Sequence, residues 1–413
     1  MTDTFVEEQT VINSNQLEQE NRQTLFERVF CVVWIMVVAY MIVRPATNNA
    51  SLIRLIWIPS LIVLFLLSIN RTMTWRLFLD IVIPLVIVML SMFIQRNALD
   101  QDHVLAAFCY INNFLVINMC SKTIPSKKTF DFIFYSNVVL SLLFAMYTLT
   151  PIAHRVHSEG RVWSSIYFVF DLGNSNLAAM NIFSFYCVLL INLSYRKKKV
   201  PIIVLMIYDI YMIYGTNCRS VLITAFIVTV AYLFLGKRKL PKGVILIGTL
   251  LPALFIFIYL TLFNRFGGQG IVFLNKSLFS GRQDNFLEYL GYLRNWWNIL
   301  FGNFAEASFQ NAHNSIVSVL TSVGAIGLVC FYAFYWRTLR NINEDESSSI
   351  RTISLICILG LFIQSSMEAS YFLGGFPGVM FLSSFILLSN YRDDAIGGYE
   401  NSSSFDRIRR SRV

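Results

Sequence analysis

Three short polar clusters interrupt an otherwise apolar chain, and each carries one group able to work on a charged leaving group. Gly215-Thr216-Asn217-Cys218-Arg219-Ser220 joins two strongly apolar runs, Ser280-Gly281-Arg282 precedes a mixed apolar and charged segment, and Asn311-Ala312-His313-Asn314-Ser315 opens another apolar run. Arginine suits a diphosphate because its planar donors fork onto two oxygens and it keeps its charge. A histidine at a helix start beside cations favours the neutral imidazole that a general base needs. Brought together, Arg219, Arg282 and His313 would hold a departing diphosphate and take the proton from a sugar hydroxyl. Each alone has an ordinary reading, since a lone interfacial arginine snorkels to headgroups and a lone histidine caps a helix. The inference therefore rests on the set.

The elements that must position this set are membrane helices. Of 413 residues, 56% are hydrophobic and 14% charged, against about 25% charged in an ordinary soluble domain. That composition excludes a soluble enzyme, a secreted disulfide scaffold and a disordered chain. The net charge of +9 does not indicate nucleic acid, because the basic residues fall in short loops between apolar runs rather than on one soluble face. A helix needs about 20 apolar residues to cross a bilayer, and the runs near 29–43, 55–69, 77–94, 103–120, 131–149, 177–195, 200–216, 220–236, 243–263, 315–336, 352–369 and 372–390 predict an all-α, polytopic protein of about twelve spans. With residues 1–28 and 391–413 placed in the cytoplasm, the inner segments hold 23 of the 33 Lys and Arg, as basic loops resist translocation. The transmembrane domain is then 29–390, with both termini cytoplasmic. The polar start predicts no cleaved leader, so the first span is expected to serve as the targeting signal.

Two outer segments exceed simple turns. Residues 150–176 carry His154, His157 and an aromatic run, and 264–314 carry Arg265, Lys276, Arg282, Arg294, Trp296, Trp297 and His313. Apolar residues at helical spacing from Asn285 to Leu300 predict one amphipathic helix on the outer surface, where Trp296 and Trp297 stack on sugars or anchor the interface.

The seven cysteines form no C-x-x-C pair and read as small buried hydrophobes. No phosphate-binding glycine loop occurs, which points an outward-facing enzyme toward a substrate already energised, a lipid-diphosphate sugar. Asp100-Gln101-Asp102-His103 and the His154, His157, Glu159 group have metal-like spacing but read as solvated loops, so no metal and no cofactor is expected. Asp80, Asp209 and Glu368 are ionisable groups at membrane depth and raise a transporter or lipid-sugar flippase as the other class. Repeated halves, the usual mark of a transporter, are absent. Glu368, near the outer end of its span, is placed with the substrate.

At these residues the chain resembles the O-antigen ligase and polymerase superfamily. The resemblance is carried by Thr216-Asn217-Cys218-Arg219-Ser220, Ser280-Gly281-Arg282, Trp296, Phe301-Gly302-Asn303, Ala312-His313-Asn314-Ser315, Val323-Gly324-Ala325-Ile326-Gly327 and Asn174-Ser175-Asn176-Leu177-Ala178. It covers about residues 170–370. Cys218 and Ser220 flank the arginine where the family more often reads Ser-Arg-Gly, and Ser175 replaces a usual proline. The resemblance implies a metal-independent, C-type glycosyltransferase-like fold in the bacterial cytoplasmic (inner) membrane. It implies His313 as base, with Arg219 and Arg282 on an undecaprenyl diphosphate, and Asn314, Trp296, Glu368 and Asn176 as further substrate contacts. The expected reaction joins lipid-linked oligosaccharide repeat units into a surface polysaccharide or capsule. Ligation of finished polysaccharide to an acceptor is the alternative, and flippase and chain-length regulator proteins are the expected partners.

Overall fold

The computed structural model describes residues 24–41, 62, 75–95, 101–150, 154–156, 166–168, 175–266, 272–273, 276–277, 282–307, 313–344, 348–367, 372 and 378–392. In chain order the helices are α1 (Thr24–Met41), α2 (Trp75–Gln95), α3 (Gln101–Lys122), α4 (Lys127–Tyr147), α5 (Ser175–Leu193), α6 (Val200–Gly215), α7 (Arg219–Leu235), α8 (Lys242–Phe266), α9 (Arg282–Gly291), α10 (Trp296–Phe301), α11 (Phe304–Ala307), α12 (Ser315–Glu344), α13 (Ser349–Ser365) and α14 (Gly378–Ser389). Each expected span has a helix beneath it except 55–69, which lies outside the described residues apart from Ile62. Among the described residues, five helices, α1, α4, α5, α8 and α12, are long and apolar enough to cross a membrane, and α6, α7, α13 and α14 are shorter apolar helices. The chain is a helical membrane protein. Two antiparallel ladders add to the helical scheme, β1 (His154–Val156) on β2 (Ile166–Phe168) and β3 (Val272–Phe273) on β4 (Lys276–Ser277).

Burial sorts the helices into a centre and a wall. α5 is buried along nearly its whole length, as are α13 and α14, which is why they are apolar on every side. α8 instead presents Ile247, Leu254, Phe257 and Ile258 outward, the face expected against lipid. Gly360 of α13 lies against Val228 and Phe183, a small residue that lets α5 and α7 approach closely. Buried amides stitch the helices through backbone carbonyls: Asn137 Nδ2 donates to Phe185 O at 3.0 Å, and Asn390 Nδ2 to Cys120 O at 2.9 Å.

One end of the bundle collects ion pairs, Arg196 with Asp131, Arg337 with Asp80, and Lys242 and Arg340 with Glu344. Glu27 ties α1 to α4 there, accepting from the Ser126 and Thr129 hydroxyls at 2.6 Å each. Asp80, expected at depth, is thus an ion-pair partner at this basic end. The starts of α7, α9 and α12 lie at the opposite end.

α12 departs most from expectation, because it is two arms rather than one span. Ser315 Oγ lies 3.0 Å from Ser365 Oγ, while Tyr335 packs its ring 5.5 Å from that of Phe362, one turn below Ser365. In a straight helix residues 315 and 335 would stand about 30 Å apart. The chain turns back at Gly324, whose φ of 69° and ψ of −173° are non-helical and essentially restricted to glycine. Its partner is Gly302, at φ 79°. A Cβ on Gly324 would strike the backbone of Leu300 and Phe301, and one on Gly302 the backbone of Ser322 and Val323. The freed carbonyl of Thr321 accepts from Asn303 N at 2.6 Å. Gly324→Ala is expected to cost about 3 kcal/mol, from strain and overpacking together. An unchanged melting temperature in detergent would contradict the turn.

Candidate functional site

The site is built on the end of α13. Gln364 Nε2 donates to Ser220 Oγ at 3.4 Å, and Thr224 Oγ1 donates to Gln364 Oε1 at 3.4 Å, which fixes the first turn of α7 and so the base of Arg219. Ser366 O accepts from Asn314 Nδ2 at 3.0 Å, which fixes the start of α12 and the neighbouring His313. Met367 Sδ lies 3.3 Å from Arg282 Nη1 at the start of α9. Three stretches distant in sequence therefore meet on four consecutive residues, Gln364 to Met367.

α9 reaches this point by folding back along α8. Phe286 is fully buried and packs edge-on against Tyr259 at 5.6 Å, and Tyr259 OH donates to Gln283 Oε1 at 3.4 Å. Val317, one turn into α12, completes that cluster. Arg219, Arg282 and Tyr259 are close enough to interact electrostatically. The site is recessed: Asn314 Nδ2 also donates to Pro252 O at 3.1 Å, and Pro252 lies 14 residues, about 21 Å, short of the far end of α8.

The starts of α7 and α9 lie at this site with their two guanidinium groups, while the α12 start is capped by Asn314. The exposed N–H groups and macrodipole of a helix start favour an anion, so all these terms act in one direction. The backbone is also held in uncommon states. Asn217, two residues before Arg219, has φ 56°, and His313 has φ 55°. Left-handed conformations at non-glycine residues cost energy and gather at functional sites.

Asn314 has a different role from the substrate contact expected. It is fully buried, its Oδ1 accepts from Ile316 N at 2.8 Å and Val317 N at 3.2 Å, and its Nδ2 makes the two bonds above. Both lone pairs and both donors are committed, so Asn314 is the N-cap and clamp that positions His313. Trp296 stacks on Trp297 at 3.8 Å and is largely exposed. Its helix, α10, meets α12 at the Gly324 turn, about 15 Å along the arm from Asn314. The expected single amphipathic helix is instead α9 and α10, separated because Asn295 caps α10, accepting from Asn298 N at 2.8 Å.

Asn176 lies in the first turn of α5, at the same end as the site. Glu368 follows Met367 directly but lies outside the described residues, as do Asp100, His157 and Glu159. Asp209 is fully buried in α6, with Tyr186 and Cys187 among its electrostatic neighbours. Sequence reasoning did not single out Gln364, Ser366, Met367 or Tyr259. The run Gln364-Ser365-Ser366-Met367 was the available signal, a polar break at the end of an apolar span.

The chain matches no protein-family model, no curated protein and no solved structure.

Proposed function

We propose that the protein is a glycosyltransferase that polymerises lipid-linked oligosaccharides at the outer face of the bacterial cytoplasmic membrane. On this reading the chain makes about twelve spans, in a C-type glycosyltransferase-like arrangement. The basic end faces the cytoplasm, along with both termini, and the recess opens to the other side. The observation that carries the proposal is the meeting of Arg219, Arg282 and the His313–Asn314 segment on Gln364–Met367. A diphosphate leaving group needs fixed positive charge as the carbon–oxygen bond to it breaks, and two guanidinium groups backed by the starts of α7 and α9 supply it.

The donor is the growing chain on undecaprenyl diphosphate and the acceptor is a fresh lipid-linked repeat unit. His313 takes the proton of the acceptor hydroxyl, the oxygen attacks the donor's anomeric carbon, and the carbon–oxygen bond to the diphosphate breaks with inversion. Arg219 and Arg282 receive the charge left on the diphosphate. No cofactor enters this scheme. Trp296 and Trp297, exposed near the Gly324 turn, offer stacking surface for the polymer beyond the reacting end. Asn176 and Glu368 are placed with the acceptor.

The test is reconstitution of the purified chain in vesicles with lipid-linked oligosaccharide as the sole substrate. Longer lipid-linked products are expected. Arg219→Lys, which keeps charge but loses the fork, is expected to slow their formation about 10²-fold. Redistribution of substrate across the bilayer without bond formation would mean a flippase and end the proposal.

A further inference from the structure

A polar cavity of about 790 Å³ opens at the basic end, between α2, α3 and the second arm of α12. It lies at the other end of the bundle from the arginine recess and plays no part in the scheme above. Its wall carries Arg76, Lys122 and Arg337, with Asp80 and Glu344 as the carboxylates. Both carboxylates are already committed. Asp80 pairs with Arg337, and Glu344 pairs with Arg340 at 2.7 Å and Lys242 at 3.2 Å. Arg76 stands near enough to Arg337 for the two like charges to interact. The buried Nδ2 of Asn118, also on the wall, has no hydrogen-bond partner among the described residues. The cavity thus has surplus positive charge and an amide donor that no described residue satisfies.

The level of the cavity points to the source of an anion for it. Trp75, next to Arg76, is exposed and stacks on Phe78 at 5.5 Å, the pairing of aromatic ring and cation found where a helix meets the headgroup layer. Basic pockets between helices at that depth hold acidic lipid headgroups. We propose that this cavity binds the phosphate of an anionic phospholipid headgroup, with Arg76 and Lys122 as its main contacts, Asn118 as a further donor and the Asp80–Arg337 pair as a fixed wall.

The test uses the full chain in detergent and native mass spectrometry, with short-chain phosphatidylglycerol, phosphatidylcholine and inorganic phosphate as probes. Phosphatidylglycerol is expected to bind at least about tenfold more tightly than phosphatidylcholine, as a charged hydrogen-bond set implies. Arg76→Gln with Lys122→Gln should erase that preference, while Lys237→Gln with Arg238→Gln, on a different basic loop, should retain it. Inorganic phosphate binding that the first double variant abolishes, without a lipid preference, supports the anion site with a soluble source. Equal binding of both lipids with no phosphate binding, or a preference unaffected by the first double variant, overturns the site. Because the Asp80–Arg337 pair is untouched, a melting curve on each variant separates loss of binding from loss of fold.

Discussion

His313→Asn is expected to leave a folded protein whose rate of saccharide joining falls by about 10²–10⁴-fold, the usual contribution of a general base. The choice of asparagine follows from the backbone. His313 sits at φ 55°, a region that asparagine tolerates and alanine resists by about 1–2 kcal/mol. The alanine variant would therefore mix lost chemistry with a disturbed turn. Asparagine keeps the turn but has no group to take a proton at neutral pH. The readout is the rate of polymer formation by reconstituted protein, with substrate binding measured separately. If the arginines bind the diphosphate and the histidine only removes a proton, affinity for the lipid-linked donor stays near that of the native chain while turnover collapses. Turnover at the native rate would remove His313 from the mechanism and leave the recess as a binding site.

The helices were legible because apolar runs of membrane length are hard to place any other way, and basic loops alternate with them. The helix starts that carry Arg219, Arg282 and His313 were legible too, since each is a polar cluster breaking such a run. The turn in α12 was not. Residues 315–336 read as one span because nothing between Ser315 and Trp336 is polar enough to end it, and glycine is common in membrane helices. What makes Gly324 a turn is its close approach to the Leu300 and Phe301 backbone and the Asn303 N bond to Thr321 O, from a separate segment of the chain. The meeting point on Gln364–Met367 was hidden for the same reason. Its four residues close an apolar helix, and their meaning comes from α7, α9 and α12, which only the folded chain brings to them. Asn295 was the opposite case, a helix cap written in the sequence but overlooked within an amphipathic pattern that ran across it.

Asn314→Ala is expected to cost about 2–4 kcal/mol of stability and, with it, most of the activity. The substitution removes the α12 cap, worth about 1 kcal/mol, and strands the Ser366 carbonyl at the end of α13 in a buried setting where an unsatisfied group costs about 1–3 kcal/mol. Some of that loss is recovered by relaxation, since helix–helix hydrogen bonds in membranes average below their ideal worth. The consequence for function follows from position. Asn314 Nδ2 is the link between the start of α12 and the end of α13, so its loss frees His313 to move relative to Arg282 on Met367. A thermal melt in detergent and a turnover assay on the same sample separate the two claims. A lowered melting temperature with full turnover at low temperature would show that Asn314 stabilises the fold without positioning the base. An unchanged melting temperature would mean that the four hydrogen bonds do not carry the stability assigned to them. Loss of turnover at a temperature where the variant is still folded, with lipid-linked donor still bound through the arginines, is the result that a positioning clamp requires.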